Sequence, residues 1–416
     1  MHAEIIAIGD EITSGQLLDT NSQWLSQRLE EMGVRVLYHT AVGDELDACA
    51  EVFRRAIARA DVVIATGGLG PTADDLTREA LAEATGRPLT LNLKALEHVR
   101  AMFARRKGRM PDRNQQQAMF PEGARMIHNP NGTAPGIELD VPREDAASCR
   151  VFALPGVPAE IKEIWDDSVA RRLGELGGGR TVVRHRRIKC FGAGESHIEA
   201  MLPDLIRRGR TPRVGINASK TTIILRITAE GASEAECHQA MEPTIATIRA
   251  CLGELVFGQG DDELQDAVVR LLQQQNKTLA TAEWGTAGLV AEALDSVVEA
   301  EGYYLGGVVS ASETALKRTL DVPSDLLARH AAQSGEVAAA MAAGCRERFG
   351  ADYALAVARF PAFDPAVADP QPAYFALADA EGVTVKQFPY AGHPATLRIL
   401  CAKRALNMVR LAMLNG

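Results

Sequence analysis

The 416-residue sequence contains no apolar run approaching the ~20 residues that a membrane-spanning helix needs, which predicts a chain with no membrane partner. It also lacks a basic excess. Lys and Arg number 45 against 54 Asp and Glu, a formal net charge of −9, and the basic residues are dispersed apart from short clusters such as "RHRR" at Arg184–Arg187. Such a cluster reads as a solvated strand or loop face, so no nucleic-acid partner is expected. The seven cysteines include no C-x-x-C pair, which fits a reducing, cytoplasmic compartment and argues against a zinc site. The opening "MHAEIIAIGDE" has no basic region, long apolar run or small-residue cleavage site, so no secretion signal is expected. No G-K-[ST] occurs anywhere, which excludes a Walker A phosphate loop.

What is present is ordinary globular material, 46% apolar and 24% charged. At roughly 100–200 residues per domain the length predicts two or three domains. The first 170 residues alternate β-rich runs ("AEIIAI", "VRVLYHTAV", "DVVIAT") with amphipathic helical patterns, the order that gives βαβ units on a parallel sheet. In the first helix Leu25, Leu29 and Met32 recur at i, i+4, i+7 with Gly33 placed to cap it, and Pro158 can open a later one. The glycine run "GELGGGR", Gly174–Arg180, reads as a linker. About 80 residues beyond it read strand, helix, strands, helix, a small α+β domain of KH-like size and order. Its "FGAGES" does not supply the G-x-x-G clamp that grips a nucleic-acid backbone. From Asp261 the α/β alternation resumes. The alanine-rich stretch around Val337–Ala343 has too little bulk for a wide core and predicts close helix packing there.

The most informative stretch is "IATGGLGPTADDLT", Ile64–Thr77. In open α/β sheets ligands sit at the carboxyl ends of strands, and "DVVIAT" delivers Gly67, Gly68 and Gly70 to that edge. Asp74 and Asp75 follow near a helix start, where free N–H groups favour an anion and paired carboxylates suit a hard, oxygen-loving cation that bridges to phosphate. A plain alternative has Asp74 as N-cap, Asp75 as a first-turn acid and the glycines as a tight turn. Spacing alone leaves both open. Further polar clusters at strand ends, "GDEITSGQLLDTN", "VGDE", "RNQQQ" and "NPNGTAPG", together describe one polar rim.

These motifs, with "LPGVPAEI", closely resemble in order and over about 160 residues the competence/damage-inducible protein A family, CinA. "CFGAGES", "LRITAEG" and "LGELVFGQGDDEL" continue the resemblance through the middle segment, and weaker motifs carry it to the C-terminus. The resemblance implies an N-terminal molybdopterin-binding-like three-layer α/β/α domain (1–173), a small α+β KH-like middle domain (174–260) and a C-terminal α/β deamidase-like domain (261–416). It implies metal-dependent hydrolysis of ADP-ribose to AMP and ribose 5-phosphate by the first domain, and conversion of nicotinamide mononucleotide to its acid form and ammonia by the last. By position, Gly67, Gly68, Gly70 and Thr72 would surround phosphate. Asp74 and Asp75 would be catalytic carboxylates that hold a divalent metal (Mg, Mn or Co) or position water, with Asp75 alternatively a general base. Asp10, Glu11, Asp44, Asn114 and Gln117 are candidates on the rim. A nucleotide substrate and a homodimer are implied as partners. A pterin-type binding module and a non-enzymatic scaffold remain the competing readings.

The C-terminal pattern departs from the family where its chemistry should lie. A motif like A-E-S-C-T-G-G reads "AEWGTAG", so the serine nucleophile position is Trp284. V-x-Y-S-N-x-x-K reads "VVSASETALK", with Ala311 for tyrosine and Leu316 for lysine; Lys317, one step on, is turned by ~100° on a helix. T-G-I-A-G-P reads "ARFPAF", without glycines. The expectation is a catalytically inactive deamidase fold, with a new pocket at Trp284 as the alternative.

Overall fold

The computed structural model describes residues 1–105, 108–144, 146–177, 182–207, 209–364, 367 and 369–415. Contacts divide the chain into two compact units, Met1–Arg184 with Glu230–His238, and His185–Ala229 with Gln239–Gly416.

In the first unit six strands form one sheet in the order Arg35–Val42, His2–Ile8, Val62–Thr66, Cys149–Leu154, Gly136–Val141 and Arg125–Ile127. Val62–Thr66 is buried along its whole length, as a β-branched central strand should be. Its side chains alternate between faces. Val62 and Ile64 pack with Leu25, Leu29 and Trp165, while Val63 and Ala65 pack with Phe53 and Leu81. Helices therefore cover both faces, giving the expected three layers. The first four strands are parallel, as the βαβ alternation predicts, and the last two add antiparallel pairs that the alternation did not include. The connections 128–135 and 142–148 are too short for a crossover helix, so only antiparallel pairing is open to them.

The helix Thr20–Glu31 starts on Asp19, whose carboxylate accepts from the Ser22 N–H, and ends before Gly33 in the left-handed region at φ 74°. The helix Pro158–Ile164 opens on its proline. The run read as a linker behaves differently: Gly174–Gly177 close the helix Ala170–Gly177, and 178–180 lie outside the described residues.

The middle segment forms a four-stranded sheet in the order Arg213–Ser219, Thr222–Gly231, Val182–Cys190, Val256–Gln259, with helices Glu195–Met201 and Glu234–Leu252. In the C-terminal segment the sheet order is Tyr304–Val309, Leu279–Glu283, Tyr353–Val357, Pro372–Ala378, Val383–Pro389. The first three of these are parallel and the rest antiparallel. In the alanine-rich helix Gly335–Phe349, a Cβ on Gly344 would collide with the Leu320 carbonyl, so the close packing read from composition is present. Burial pushes the Cys149, Cys190 and Cys345 thiols up to about 12, which keeps them protonated and inert. Among the described residues no helix is long and apolar enough to cross a membrane.

Inside the second unit, Phe191 and Phe257 share one core with Leu264 and Leu272. Beside it Glu263 accepts from Lys189 at 2.7 Å and from Lys403 at 3.1 Å, and Lys403 also donates to Thr222. Burial raises the Glu263 carboxyl, but the two ammonium groups outweigh that and hold it below its ordinary 4.5. A depressed carboxyl stabilises above its unfolded value and loses that contribution as pH falls through the folded one, so this contact should weaken in acid below pH 4.5. Burial draws Lys403 below its usual value, so its charge is the dispensable one. Glu263→Gln should cost roughly 1–3 kcal/mol, discounted from a fully buried pair because Glu263 keeps 38% exposure. Lys403→Met should cost less. Thermal midpoints of the two variants check the order, and equal losses would show that the Lys403 charge is not dispensable.

Candidate functional site

The strand Val62–Thr66 ends beside the carboxyl end of His2–Ile8, and the chain turns there through Gly67 and Gly68, at φ 101° and 62°. Both glycines are required. A Cβ on Gly67 would strike the Ile8 carbonyl oxygen, and one on Gly68 the Thr77 hydroxyl, which is bonded to the Gly67 carbonyl at 2.8 Å. The following helix begins at Thr77 with Leu76 as N-cap, so Asp74 and Asp75 precede it and neither caps it.

The two aspartates part company. Asp75 folds back on its own turn: Oδ1 accepts from the Gly70 N–H and Oδ2 from the Thr72 N–H, each at 2.8 Å, and Oδ2 also from the Thr72 hydroxyl. The Gly70 and Thr72 donors expected to meet phosphate are thus engaged by Asp75. Asp74 stays exposed, and hydrogen bonding from Thr72 and its own N–H draws its carboxyl below the ordinary range. Among the described residues the N–H groups of Gly68 and Leu69 find no acceptor.

Beneath the turn lies a residue that sequence reasoning missed. Arg78 is 1% exposed, and its guanidinium donates to the carbonyls of Leu69 at 2.8 Å, Gly70 at 3.0 Å and Asp75 at 3.3 Å. Burial lowers its pKa. In "DDLTREAL" nothing marks this arginine off from a solvated helix residue.

A cleft of about 610 Å³ opens over the turn, within the usual size of small-molecule sites. Glu11, Asp44, Asp74 and Gln117 line it. Asp10 and Asp44 exchange bonds: the Asp10 N–H donates to Asp44 Oδ2 at 2.9 Å and the Asp44 N–H to Asp10 Oδ1 at 3.0 Å. Burial, with the negative charges of Asp10, Glu11 and Asp74, pushes the Asp44 carboxyl above its ordinary value, against the Asp10 N–H that pulls it down. Asn114 lies behind the cleft, donating to Gln117 at 3.0 Å, and Gln117 donates on to Thr133 at 3.3 Å. Far along the chain, Glu160 and Gly156 join the lining, and Asn21 donates to the Gly156 carbonyl at 2.8 Å. "LPGVPAEI" carries two of these; its signal was a proline-opened helix after a strand.

At the C-terminal positions space is taken. Trp284 packs against the core that contains Leu316 and Met341, with the Arg359 guanidinium 5.7 Å from its ring centroid. Leu316 is fully buried, Lys317 is turned off that face, and Ala311 is exposed. The Phe360 ring stands where a Cβ on Gly285 would go and stacks on Tyr390 at 4.8 Å. The Thr286 hydroxyl is buried without a hydrogen-bond partner among the described residues. Glu283, the nearby carboxylate, is spent on the N–H groups of Gly288, Val290 and Ala291.

Residues 4–175 match a family model described as a probable molybdopterin binding domain, 185–258 the damage-inducible protein CinA KH domain, and 261–413 the CinA C-terminal domain. A CinA-like protein of Frankia casuarinae is 38% identical over 436 residues, covering 100% of this chain and 97% of that one. The chain belongs to the CinA family. A Symbiobacterium thermophilum protein, provisionally named competence-damage inducible, is 39% identical over 86% of this chain and 83% of its own. Among solved structures, a CinA of Thermoplasma acidophilum whose function is given as unknown is 31% identical, covers 41% of this chain and 98% of that one, and superposes with a TM-score of 0.38. CinA membership accounts for the N-terminal α/β domain, the KH-type middle and the C-terminal domain.

Proposed function

We propose that the cleft over the glycine turn hydrolyses the diphosphate of ADP-ribose, or of a related nucleoside diphosphate compound, to AMP and ribose 5-phosphate with a divalent metal. The supporting observation is the meeting, at the carboxyl ends of parallel strands, of unpaired Gly68 and Leu69 N–H groups with carboxylates that repel one another. A cation fits that donor set. Among the described residues no three of His, Cys, Asp and Glu converge as a ligand cluster, but Mg²⁺ needs only one or two carboxylates, its remaining positions going to water and substrate phosphate. Asp74 and Asp44 are the residues that would hold it, and bound there it would neutralise diphosphate oxygens and acidify water. Gly68 and Leu69 would bind phosphate oxygen through backbone N–H, and Asp10 would orient Asp44 through their paired bonds. Gln117, held by Asn114 and Thr133, would present a fixed amide to the substrate.

We further propose that the C-terminal domain has no deamidase activity. Its nucleophile position is an indole, Thr286 lacks a base, and Phe360 occupies the approach. The test is one experiment on the full chain: AMP formation from ADP-ribose with Mg²⁺, Mn²⁺ or Co²⁺ and with chelator, and ammonia release from nicotinamide mononucleotide. Metal-dependent AMP and no ammonia are expected. Absence of AMP with every metal would sink the hydrolase reading, and tight binding of a molybdopterin-type ligand without turnover would replace it with a pterin-binding one, which the match of residues 4–175 favours.

A further inference from the structure

The second unit holds a separate cavity of about 770 Å³, large for a void between packed elements and within the range of ligand sites. One wall comes from the middle segment, at Phe191–Gly194 and Leu252–Leu255, and the other from the strand Val383–Pro389 and the helix Pro394–Asn415. On that helix Leu400, Arg404, Asn407, Met408 and Leu411 recur at i, i+4, i+7, i+8 and i+11, so a single face is turned to the cavity.

The lining carries a basic excess. Lys386, Arg404 and Arg410 line the cavity, against one acid, Glu254, in a protein of net charge −9. Arg410 is only 3% exposed, yet among the described residues it meets no carboxylate at ion-pair distance; its guanidinium donates to the Glu254 main-chain carbonyl and to Asn407 Oδ1 at 2.9 Å. Arg404 is likewise unpaired with an acid. It donates to the Pro389 carbonyl at 3.2 Å and lies 4.9 Å over the Phe388 ring. Burial draws both guanidinium groups down from their usual value, and for Arg410 it outweighs the opposing charge of Glu254.

We propose that this cleft binds a phosphate monoester carried on a planar ring, the chemical class of a mononucleotide. Three cations against one acid match the ~1.5–2 negative charges of a phosphate monoester better than the single charge of a carboxylate. Guanidinium forks pair with phosphate through two parallel bonds. Phe388 already accepts a planar cation on one face, and the remaining apolar lining, Met201, Leu255 and Leu411, offers a ring a dry surface.

Hydrogen exchange of the full chain with AMP as probe tests this, read in peptides covering 386–389 and 397–411 so that AMP in the glycine-turn cleft does not contribute. AMP should slow exchange in both peptides, with adenosine and inorganic phosphate each at least about tenfold weaker. Arg404→Met should weaken AMP about tenfold, and Lys386→Glu, an exposed strand position whose change spares packing, about fivefold. Three results would overturn the proposal: no protection at millimolar AMP, equal protection by phosphate alone, or a single-stranded oligonucleotide binding ten times tighter than AMP. Protection that rises with protein concentration in the absence of ligand would identify a second copy of the chain as the occupant and would overturn it as well.

Discussion

Asp74→Ala should lower AMP formation from ADP-ribose by on the order of 10²–10³-fold at fixed metal, and leave the thermal midpoint unchanged. Asp74 is exposed and its Thr72 partner is also held by Asp75, so its loss removes charge from the cleft and little from the fold. Asp75→Ala should act by the opposite route. It frees the Gly70 and Thr72 donors, and an opened turn should destabilise the first unit by roughly 1–3 kcal/mol. Activity falls in both variants, but only Asp74→Ala should demand more metal for half-maximal rate. A metal titration of the two variants decides it: an unchanged metal requirement in Asp74→Ala would remove Asp74 from the ion's ligands. A raised requirement in Asp75→Ala alone would give the role back to Asp75.

Arg78→Met carries the second large effect. Three bonds from a charged donor are each worth roughly 1.5–3 kcal/mol, while withdrawing a buried guanidinium returns several kcal/mol of desolvation, so a net loss of roughly 2–4 kcal/mol is expected. The bonds win because methionine leaves the Leu69, Gly70 and Asp75 carbonyls without donors. With its anchor gone the turn should also lose the arrangement of the Gly68 and Leu69 N–H groups, and kcat/KM should drop more than tenfold. Arg78→Lys keeps the charge but cannot span three carbonyls, so it should fall between the two. Unfolding of the full chain followed at the first unit, together with kcat/KM, checks both. A stable and fully active Arg78→Met would show that Asp75 and Thr77 hold the turn unaided.

Much of the framework was legible because it rests on local periodicity. The strand run "DVVIAT" and the capping glycine Gly33 fall where hydrophobic spacing and left-handed backbone require them. The departure from the family's motif at position 284 was legible too, since an indole carries no nucleophile whatever surrounds it. The antiparallel edge of the first sheet was less visible, because pairing direction depends on connection length and not on the composition of the strands.

The division of labour between Asp74 and Asp75 belongs to tertiary structure alone. Two adjacent aspartates read alike in a sequence, and only the path of the turn decides which one closes it and which one is free. Arg78 is the same case, since a helix-start arginine becomes a buried anchor only when a loop folds over it. The cationic cleft brings Phe191 and Leu255 against Arg404 and Arg410, residues more than 140 positions apart. The sequence by itself determined which segments become strands and helices, where glycine must stand and where an indole replaces the family's serine, since each depends on a residue and its near neighbours. Tertiary structure decided which charges are buried, paired or left facing a cavity, because desolvation depends on everything packed around a group, however distant in the chain.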